Sequence, residues 1–331
     1  MLGGGLSLVS SARDAAQPVS SVCAQAPGLL GRTVGSAVET AAGAARVVGR
    51  STRALASPTM VAGVLTEVAW VTAHLATYPT GLRRDRATRR DGYRIEHLPP
   101  TQRGLIVSDV EAANTPILLV HGLIDNRSIF TVLRTSLARR GFGSIAAVNY
   151  SPFEGDVRVL AARLAEQVER LVEESGYERI HLIGHSLGGI VARYYVTRLG
   201  GDERVHTLVT LGSPHGGSVL GYLVPAGIPA QLRPGSALVR ELSAPVPGCR
   251  TRFIAYWSDL DELVFPQRNA AIRHPDLQVQ NIALHGVGHA SLPNVPSVAR
   301  GIADALAQLD PEGRTVTPGA TPIAGRSRAD A

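Results

Sequence analysis

The stretch from Arg179 to Arg198 reads RIHLIGHSLGGIVARYYVTR and predicts a strand, a sharp turn and a helix in direct succession. Its turn has the form G-x-S-x-G at residues 184–188. A serine at such a corner is forced into a strained conformation that points its Oγ away from the sheet edge, and side chains at the two glycines would collide with the strand and the helix. The start of the helix also favours developing negative charge. Ser186 is therefore the predicted nucleophile.

Short β-branched and apolar runs alternate with helical patterns on both sides of this corner. A β-α-β-α order of this kind predicts an α/β fold with a mostly parallel central sheet and helices on both faces. Asp156 precedes one of the helical patterns and has the side chain of a good N-cap. The predicted strands are 116–120, 144–148, 179–183, 205–211, 252–257 and 279–284, and the predicted helices are 157–174, 189–198 and 295–309.

The loop after the run PILLV carries the sequence HGL at residues 121–123. A loop in this position can present a backbone N–H to the nucleophile, so the N–H groups of Leu123 and Leu187 are predicted to form an oxyanion hole. Gly122 permits a close approach and is predicted to contact the substrate. His121 is interpreted as a polar loop residue without a role in proton transfer.

Five motifs follow one another between about Thr115 and Leu309, namely PILLVHGLIDN, GHSLGG, TLGSPHGG, DELVFP and GVGHASL. On these motifs the chain resembles bacterial lipases and esterases of the α/β-hydrolase superfamily. The resemblance implies the α/β-hydrolase fold. It also implies hydrolysis of esters, often lipidic ones, by a nucleophile, an acid and a histidine that occur in this order along the chain.

The acid of this family lies between the nucleophile and the histidine, where Asp202, Asp259, Asp261 and Asp276 are the candidates. The lipase pattern has its acid three residues before a valine and five before a proline, which selects Asp261. Asp259 remains the alternative, as a residue that could cap the turn.

The last motif contains two histidines. His289 follows a small residue in the form G-x-G-H, which is typical of the final loop of the family. His285 falls at the predicted end of a strand, where a structural role is expected. His289 is therefore expected to take the proton of Ser186 as Oγ attacks the ester, while Asp261 orients the imidazole. This mechanism requires no metal and no organic cofactor.

Residues 1–100 match none of these motifs and are predicted to form a helical, membrane-associating extension, with helical patches at about 34–56 and 60–77. Because the hydrolase motifs begin near Thr115, this extension is not expected to contribute to the catalytic residues. Its first residues lack the positive start and the long apolar run of a secretory signal, so a cytoplasmic or membrane-associated location is expected.

The segment Met60–Thr77 is mostly apolar, but Glu67 near its middle disfavours a membrane span. Glu67, His74 and Gly63 share one helical face. A helix packed on the catalytic domain and a helix lying in a membrane interface both fit better than a span. The opposite face carries an apolar stripe of Val64, Leu65, Val68 and Val71.

The charges of the chain restrict its chemistry and its partners. All 33 basic residues are arginines, which excludes Schiff-base lysines and Walker-type phosphate loops. A net charge of +6 with only 5% aromatic residues does not suggest nucleic acid as a partner. An anionic membrane surface is the expected partner for the run of arginines at positions 83, 84, 86, 89 and 90.

The catalytic domain is expected at 101–309 and a disordered tail at 310–331. Within the domain, residues 218–248 contain the apolar stretch VLGYLVPAGIPAQL, which is broken by Pro and Gly. We interpret this insertion as a lid over an acyl pocket, with an ordinary loop packed on the rim as the alternative. Its residues Tyr222, Leu223 and Val224 are predicted to contact the substrate.

Together these inferences predict a serine hydrolase that cleaves acyl or lipid esters through an acyl-enzyme intermediate. An acyltransferase or thioesterase with the same catalytic residues remains open, as does an amidase or peptidase. A catalytically idle hydrolase-fold protein that acts as a membrane interaction module is a further alternative, although such a protein has no reason to keep all three catalytic positions. Cys23 and Cys249 could form one disulfide or none.

Overall fold

The computed structural model describes residues 58–81, 110–123, 125–150 and 155–307. Several features discussed above lie outside the described residues. They are the helical patch at 34–56, the arginine run at 83–90, the tail at 310–331 and Cys23.

A six-stranded parallel sheet forms the centre of the described structure, with the strand order β2-β1-β3-β4-β5-β6. All the predicted strands are confirmed to within two residues at each end, and β4 has its predicted bounds. The strands are β1 (Ile117–Val120), β2 (Ile145–Ala147), β3 (Ile180–His185), β4 (Val205–Leu211), β5 (Arg252–Ser258) and β6 (Gln278–Leu284).

Helices connect the strands and cover the sheet. They are α1 (Pro58–Gly81), α2 (Val110–Asn114), α3 (Thr131–Arg139), α4 (Val157–Ser175), α5 (Leu187–Arg198), α6 (Gly227–Gln231), α7 (Ala237–Leu242) and α8 (Pro296–Leu306). Short 3-10 turns occupy Arg127–Phe130, Gly201–Glu203, Val219–Leu223, Gln267–Ala270 and Leu292–Asn294. The predicted N-cap of α4 is confirmed, because the Asp156 side chain accepts a hydrogen bond from the N–H of Arg158 at 2.7 Å.

The sheet has a buried apolar core on each of its two faces. On one face, helices α4 and α5 contribute residues such as Leu160, Leu164 and Ile190. On the other face, helices α3 and α8 contribute residues such as Leu133 and Ile302. The predicted arrangement of a parallel sheet between two helical layers is thereby confirmed, and it places the carboxyl ends of β3, β5 and β6 along one edge.

Helix α1 packs on this domain with the face that the sequence marks as polar. A Cβ placed on Gly63 would lie 2.4 Å from the carbonyl oxygen of Gly286, so the helix touches the loop after β6 closely. Glu67 is buried, whereas Leu65 and Val68 of the predicted apolar stripe are 65% and 59% exposed. Leu65 and Val68 therefore face solvent, and the buried side of the helix includes the hydrogen bonds that Glu67 accepts from the loop after β6.

Among the described residues, no helix combines the length and the hydrophobicity that crossing a membrane requires. Of the alternatives for the segment around Glu67, the packed helix is the one found here.

Candidate active site

Ser186 lies at the corner between β3 and α5, as the sequence predicts. Its φ of +54° makes it the sole residue other than glycine with a positive φ in the described part of the chain. Such a conformation is costly for a residue with a side chain and persists only where the surroundings enforce it. One enforcing contact is visible at Gly188, where a Cβ would lie 2.0 Å from the carbonyl oxygen of Val120 on the neighbouring strand.

The predicted oxyanion loop runs alongside this serine. A Cβ on Gly122 would lie 3.2 Å from the Cβ of Ser186, so the loop after β1 approaches the nucleophile closely. Leu123 and Leu187 both line the same cavity as Ser186. Leu187 is also the first residue of α5, where the free N–H groups of a helix begin.

Asp261 and His289 form a buried pair next to Ser186. The first lies in the loop after β5 and is 0% exposed, and the second lies in the loop after β6 and is 3% exposed. Both carboxylate oxygens are 2.9 Å from Nδ1 of His289. The Oδ1 atom also accepts hydrogen bonds from the N–H groups of Leu263 at 3.0 Å and Val264 at 2.9 Å, which orient the carboxylate.

The electrostatics of this pair stabilise a protonated imidazole. Burial by itself lowers the pKa of His289, whereas the charge and the hydrogen bond of Asp261 raise it. The nearby carboxylates of Glu262 and Asp125 act in the same direction, and the pKa of His289 is raised above its usual value. Its Nε2 is buried and has no hydrogen-bond partner among the described residues. The imidazole can therefore accept a proton from a group in the cavity.

The alternative acid and base lie on the surface and pair with each other. Nδ1 of His285 is 2.9 Å from a carboxylate oxygen of Asp259, and both side chains are exposed. The remaining acid candidates have structural partners, since Asp202 accepts hydrogen bonds from the N–H groups of residues 250 and 251, and Asp276 accepts one from the N–H of residue 246. Of these candidate acids and bases, His289 is the one that lines the same cavity as Ser186, and Asp261 is its partner.

Ser186 and His289 share a cavity of about 540 Å³, a size within the usual range for small-molecule sites. Its walls are mostly apolar. Leu220, Pro229 and Leu232 from the insertion at 218–248 form one side of the cavity.

The structure places the three predicted substrate contacts in that insertion elsewhere. Tyr222, Leu223 and Val224 do not line the cavity, and Leu223 is 79% exposed. The segment contributes Leu220 and Gly221 to the wall instead. A run of apolar residues in a 3-10 turn presents only some of its side chains inward, and the sequence does not indicate which ones.

Three groups at the site were not identified from the sequence. His185 lies with Nε2 3.1 Å from the carbonyl oxygen of His289, to which it donates, and with Nδ1 3.4 Å from Asp125. Asp125 itself lines the cavity. The third group is Glu67 of helix α1, which contacts the loop that carries His289. His185 and Asp125 both lie inside quoted motifs, and Glu67 is an acid in a mostly apolar segment, but none of these signals indicates a position at the site.

The architecture of the described residues is that of a known fold. Residues 115–234 match the family model described as the alpha/beta hydrolase fold. The mature form of the lipase BlEst2 from Bacillus licheniformis is a solved structure with the same fold, at a TM-score of 0.51 and 18% identity over 65% of this chain and 96% of that one. The chain therefore has the α/β-hydrolase fold.

More specific similarity comes from sequence relatives. The chain is 32% identical over 124 residues to a triacylglycerol lipase of Vibrio cholerae, a match that covers 35% of this chain and 37% of that protein. It is 29% identical over 122 residues to a triacylglycerol lipase of Burkholderia plantarii, which covers 34% and 33%, respectively. The chain thus matches about a third of the length of these lipases.

Proposed function

We propose that this chain is a serine hydrolase that cleaves carboxylic esters of acyl chains through an acyl-enzyme intermediate. The observation that carries the proposal is the buried Asp261–His289 pair, which faces the cavity that also holds Ser186 in its strained turn. The similarity to triacylglycerol lipases supports an acyl ester as the substrate.

The proposed reaction begins when Oγ of Ser186 attacks the ester carbonyl and Nε2 of His289 takes the serine proton. Asp261 holds the proton on Nδ1 and stabilises the imidazolium that forms. The N–H groups of Leu123 and Leu187 bind the oxyanion. His289 then protonates the leaving alcohol, and water repeats the sequence to release the carboxylic acid and regenerate the serine.

The cavity favours an acyl group of moderate to long chain length. Its walls carry apolar side chains from the insertion at 218–248 and from Val264. Removal of such a chain from water contributes about 0.8 kcal/mol for each buried CH₂ group. We propose that the insertion acts as a lid that binds the acyl chain. Leu220, Pro229 and Leu232 would contact the chain, and Gly221 would let the chain approach the backbone closely.

We also propose that the enzyme meets its substrate at a lipid surface. Val71 of helix α1 and Leu263 both line the cavity and are exposed, so they lie at its mouth. Leu65 and Val68 continue this apolar surface along the helix. An exposed apolar surface beside a cavity for acyl chains is suited to contact with lipid.

Substitution of the nucleophile tests the proposed reaction. Ser186→Ala should fold normally and lose activity on p-nitrophenyl acyl esters by roughly 10⁴-fold or more, and it should no longer react with a fluorophosphonate probe. Ser175→Ala, which removes a hydroxyl at the end of α4 far from the cavity, serves as the control. A Ser186→Ala variant that keeps a tenth of the wild-type turnover would rule out Ser186 as the nucleophile. Addition of an alcohol or thiol acceptor to the same assay separates hydrolysis from acyl transfer.

A further inference from the structure

Glu67 of helix α1 is buried against the loop that carries His289, although the two lie more than 220 positions apart in the sequence. Its Oε1 accepts a hydrogen bond from the N–H of Ala290 at 2.5 Å. Its Oε2 accepts one from the N–H of Ser291 at 3.0 Å and another from the Ser291 hydroxyl at 2.5 Å. Hydrogen bonds to a carboxylate are about twice as strong as those between neutral groups. The carboxylate therefore holds the two residues that directly follow the catalytic histidine.

The fit between helix and loop depends on a missing side chain. A Cβ on Gly288 would lie 2.3 Å from Oε2 of Glu67, far inside van der Waals contact. The second glycine of the G-x-G-H motif thus admits the carboxylate to the loop backbone. The G-x-G-H motif does not indicate that Gly288 lies against Glu67, because Glu67 is distant in the sequence.

A second carboxylate completes the support of this loop. Oε2 of Glu262 accepts a hydrogen bond from the N–H of His289 at 3.1 Å. The N–H groups of residues 289, 290 and 291 are therefore all bound to carboxylates from outside the loop. The carbonyl oxygen of His289 is bound by His185. Because the N–H and the carbonyl oxygen of His289 are both hydrogen-bonded, the position of its backbone is fixed, and the imidazole can move only by rotation of its own side chain.

The two carboxylates lie close enough to influence each other. Burial and the charge of Glu67, partly offset by the hydrogen bond from the His289 N–H, raise the pKa of Glu262 to about 7. A hydrogen bond between the two acids acts in the same direction. Glu67 and Glu262 therefore lie side by side against the loop that carries His289.

We propose that Glu67 is a positioning residue for the hydrolase reaction, and that helix α1 belongs to the active site because it carries this residue. The inference rests on the proposed function. Glu67 does not line the cavity and does not touch the reacting atoms. It acts through the loop backbone, which sets the distance between Nε2 of His289 and Oγ of Ser186. Under this proposal a residue of the first hundred contributes to the active site, which differs from the expectation drawn from the positions of the motifs.

The test replaces Glu67 by glutamine in the full chain. Glu67→Gln keeps the size of the side chain but turns one acceptor into an NH₂ group that faces the loop N–H donors. The number of active sites is measured by exhaustive fluorophosphonate labelling, and kcat and KM are measured with a short-chain p-nitrophenyl ester. Thr72→Ala, at an exposed position of the same helix that does not line the cavity, is the matched control.

We expect kcat per labelled site to fall by about 10- to 100-fold, because a small displacement of a catalytic group has an effect of this size. KM should stay within about twofold of the wild type, since Glu67 makes no substrate contact. A residue with a purely structural role would reduce the number of labelled sites and leave kcat per site unchanged. Wild-type kcat per site in Glu67→Gln would therefore overturn the inference.

Ser291→Ala and hydrogen exchange test the inference if Glu67→Gln does not fold or if the wild type is inactive. If Glu67→Gln does not fold, Ser291→Ala removes a single hydrogen bond to Glu67, and it should lower kcat by a smaller factor without changing KM. An unchanged kcat in Ser291→Ala then overturns the inference. If the wild type neither hydrolyses esters nor reacts with the probe, the proposed function fails. In that case hydrogen exchange tests whether Glu67 holds the loop, because the amides of Ala290 and Ser291 must exchange faster in Glu67→Gln than in Thr72→Ala.

Discussion

Asp261→Asn should abolish most of the activity while leaving the fold intact, and the hydrogen bonds around Asp261 explain why. Two N–H groups, those of Leu263 and Val264, bind Oδ1, so the carbonyl oxygen of an asparagine would be held at that position. Its NH₂ group would then occupy the position of Oδ2 and donate to Nδ1 of His289, 2.9 Å away. The imidazole would carry its proton on Nε2 and could not accept one from Ser186.

The expected loss in kcat/KM is roughly 10³- to 10⁴-fold, or about 4–5.5 kcal/mol of transition-state stabilisation. The pH dependence should change as well. Asp261 raises the pKa of His289, and the histidine must be neutral to act as a base. In the wild type, kcat/KM should therefore rise with pH through a pKa above the usual value of about 6.5. In Asp261→Asn this rise should move to lower pH.

Steady-state kinetics with a p-nitrophenyl ester between pH 5 and pH 9 measure both effects. Asp259→Asn is the matched control, because it alters the exposed partner of His285 and leaves the buried pair untouched. The reasoning is refuted if Asp259→Asn loses more activity than Asp261→Asn. It is also refuted if Asp261→Asn retains more than a tenth of the wild-type kcat/KM.

Two further predictions concern a backbone position beside the catalytic pair and the apolar side of helix α1. Gly212 has a φ of +58°, and a Cβ there would lie 2.9 Å from Oδ2 of Asp261 and 3.1 Å from Nδ1 of His289. Gly212→Ala should therefore lose activity as well as about 1–3 kcal/mol of stability. Gly176→Ala, with a φ of +76° and open space around it, should lose stability only, as kinetics and thermal unfolding will show. Replacement of Leu65 and Val68 by serine should reduce the amount of protein that sediments with anionic vesicles at low salt. The same replacement at Val159, an exposed residue of α4, should leave vesicle binding unchanged. Equal binding by the two variants would rule out lipid contact through α1.

The sheet and the nucleophile corner could be predicted from the sequence because their signals are local. Strands buried on both faces appear as short apolar runs, and Gly184 is required by contacts within one strand–turn–helix unit. Gly188 belongs to the same local motif, although the contact that requires it is with Val120 on the neighbouring strand. The spacing before Val264 and Pro266 also indicated Asp261, which the structure pairs with His289.

The orientation of helix α1 could not be predicted in this way. Hydrophobic periodicity assumes that the apolar face is the buried one. Here the N–H donors of Ala290 and Ser291 offset the cost of burying Glu67, and nothing near Glu67 in the sequence indicates that these donors exist. The inward-facing residues of the insertion at 218–248 were missed for a related reason, since composition does not show which side of a 3-10 turn faces the cavity.

The bond between Glu67 and Ala290 spans 223 positions of the chain, which has a consequence for biosynthesis. At typical elongation rates of about 5–20 residues per second, the ribosome needs on the order of 10–45 s to make the intervening polypeptide. Helix α1 is synthesised first, and its carboxylate has no loop to bind until the chain beyond β6 has emerged. A nascent or truncated chain that ends before this point lacks the histidine and its support together. The proposed ester hydrolysis would thus begin only after the loop beyond β6 has emerged from the ribosome, and the onset of turnover in a synchronised translation reaction would report when this loop has folded against α1.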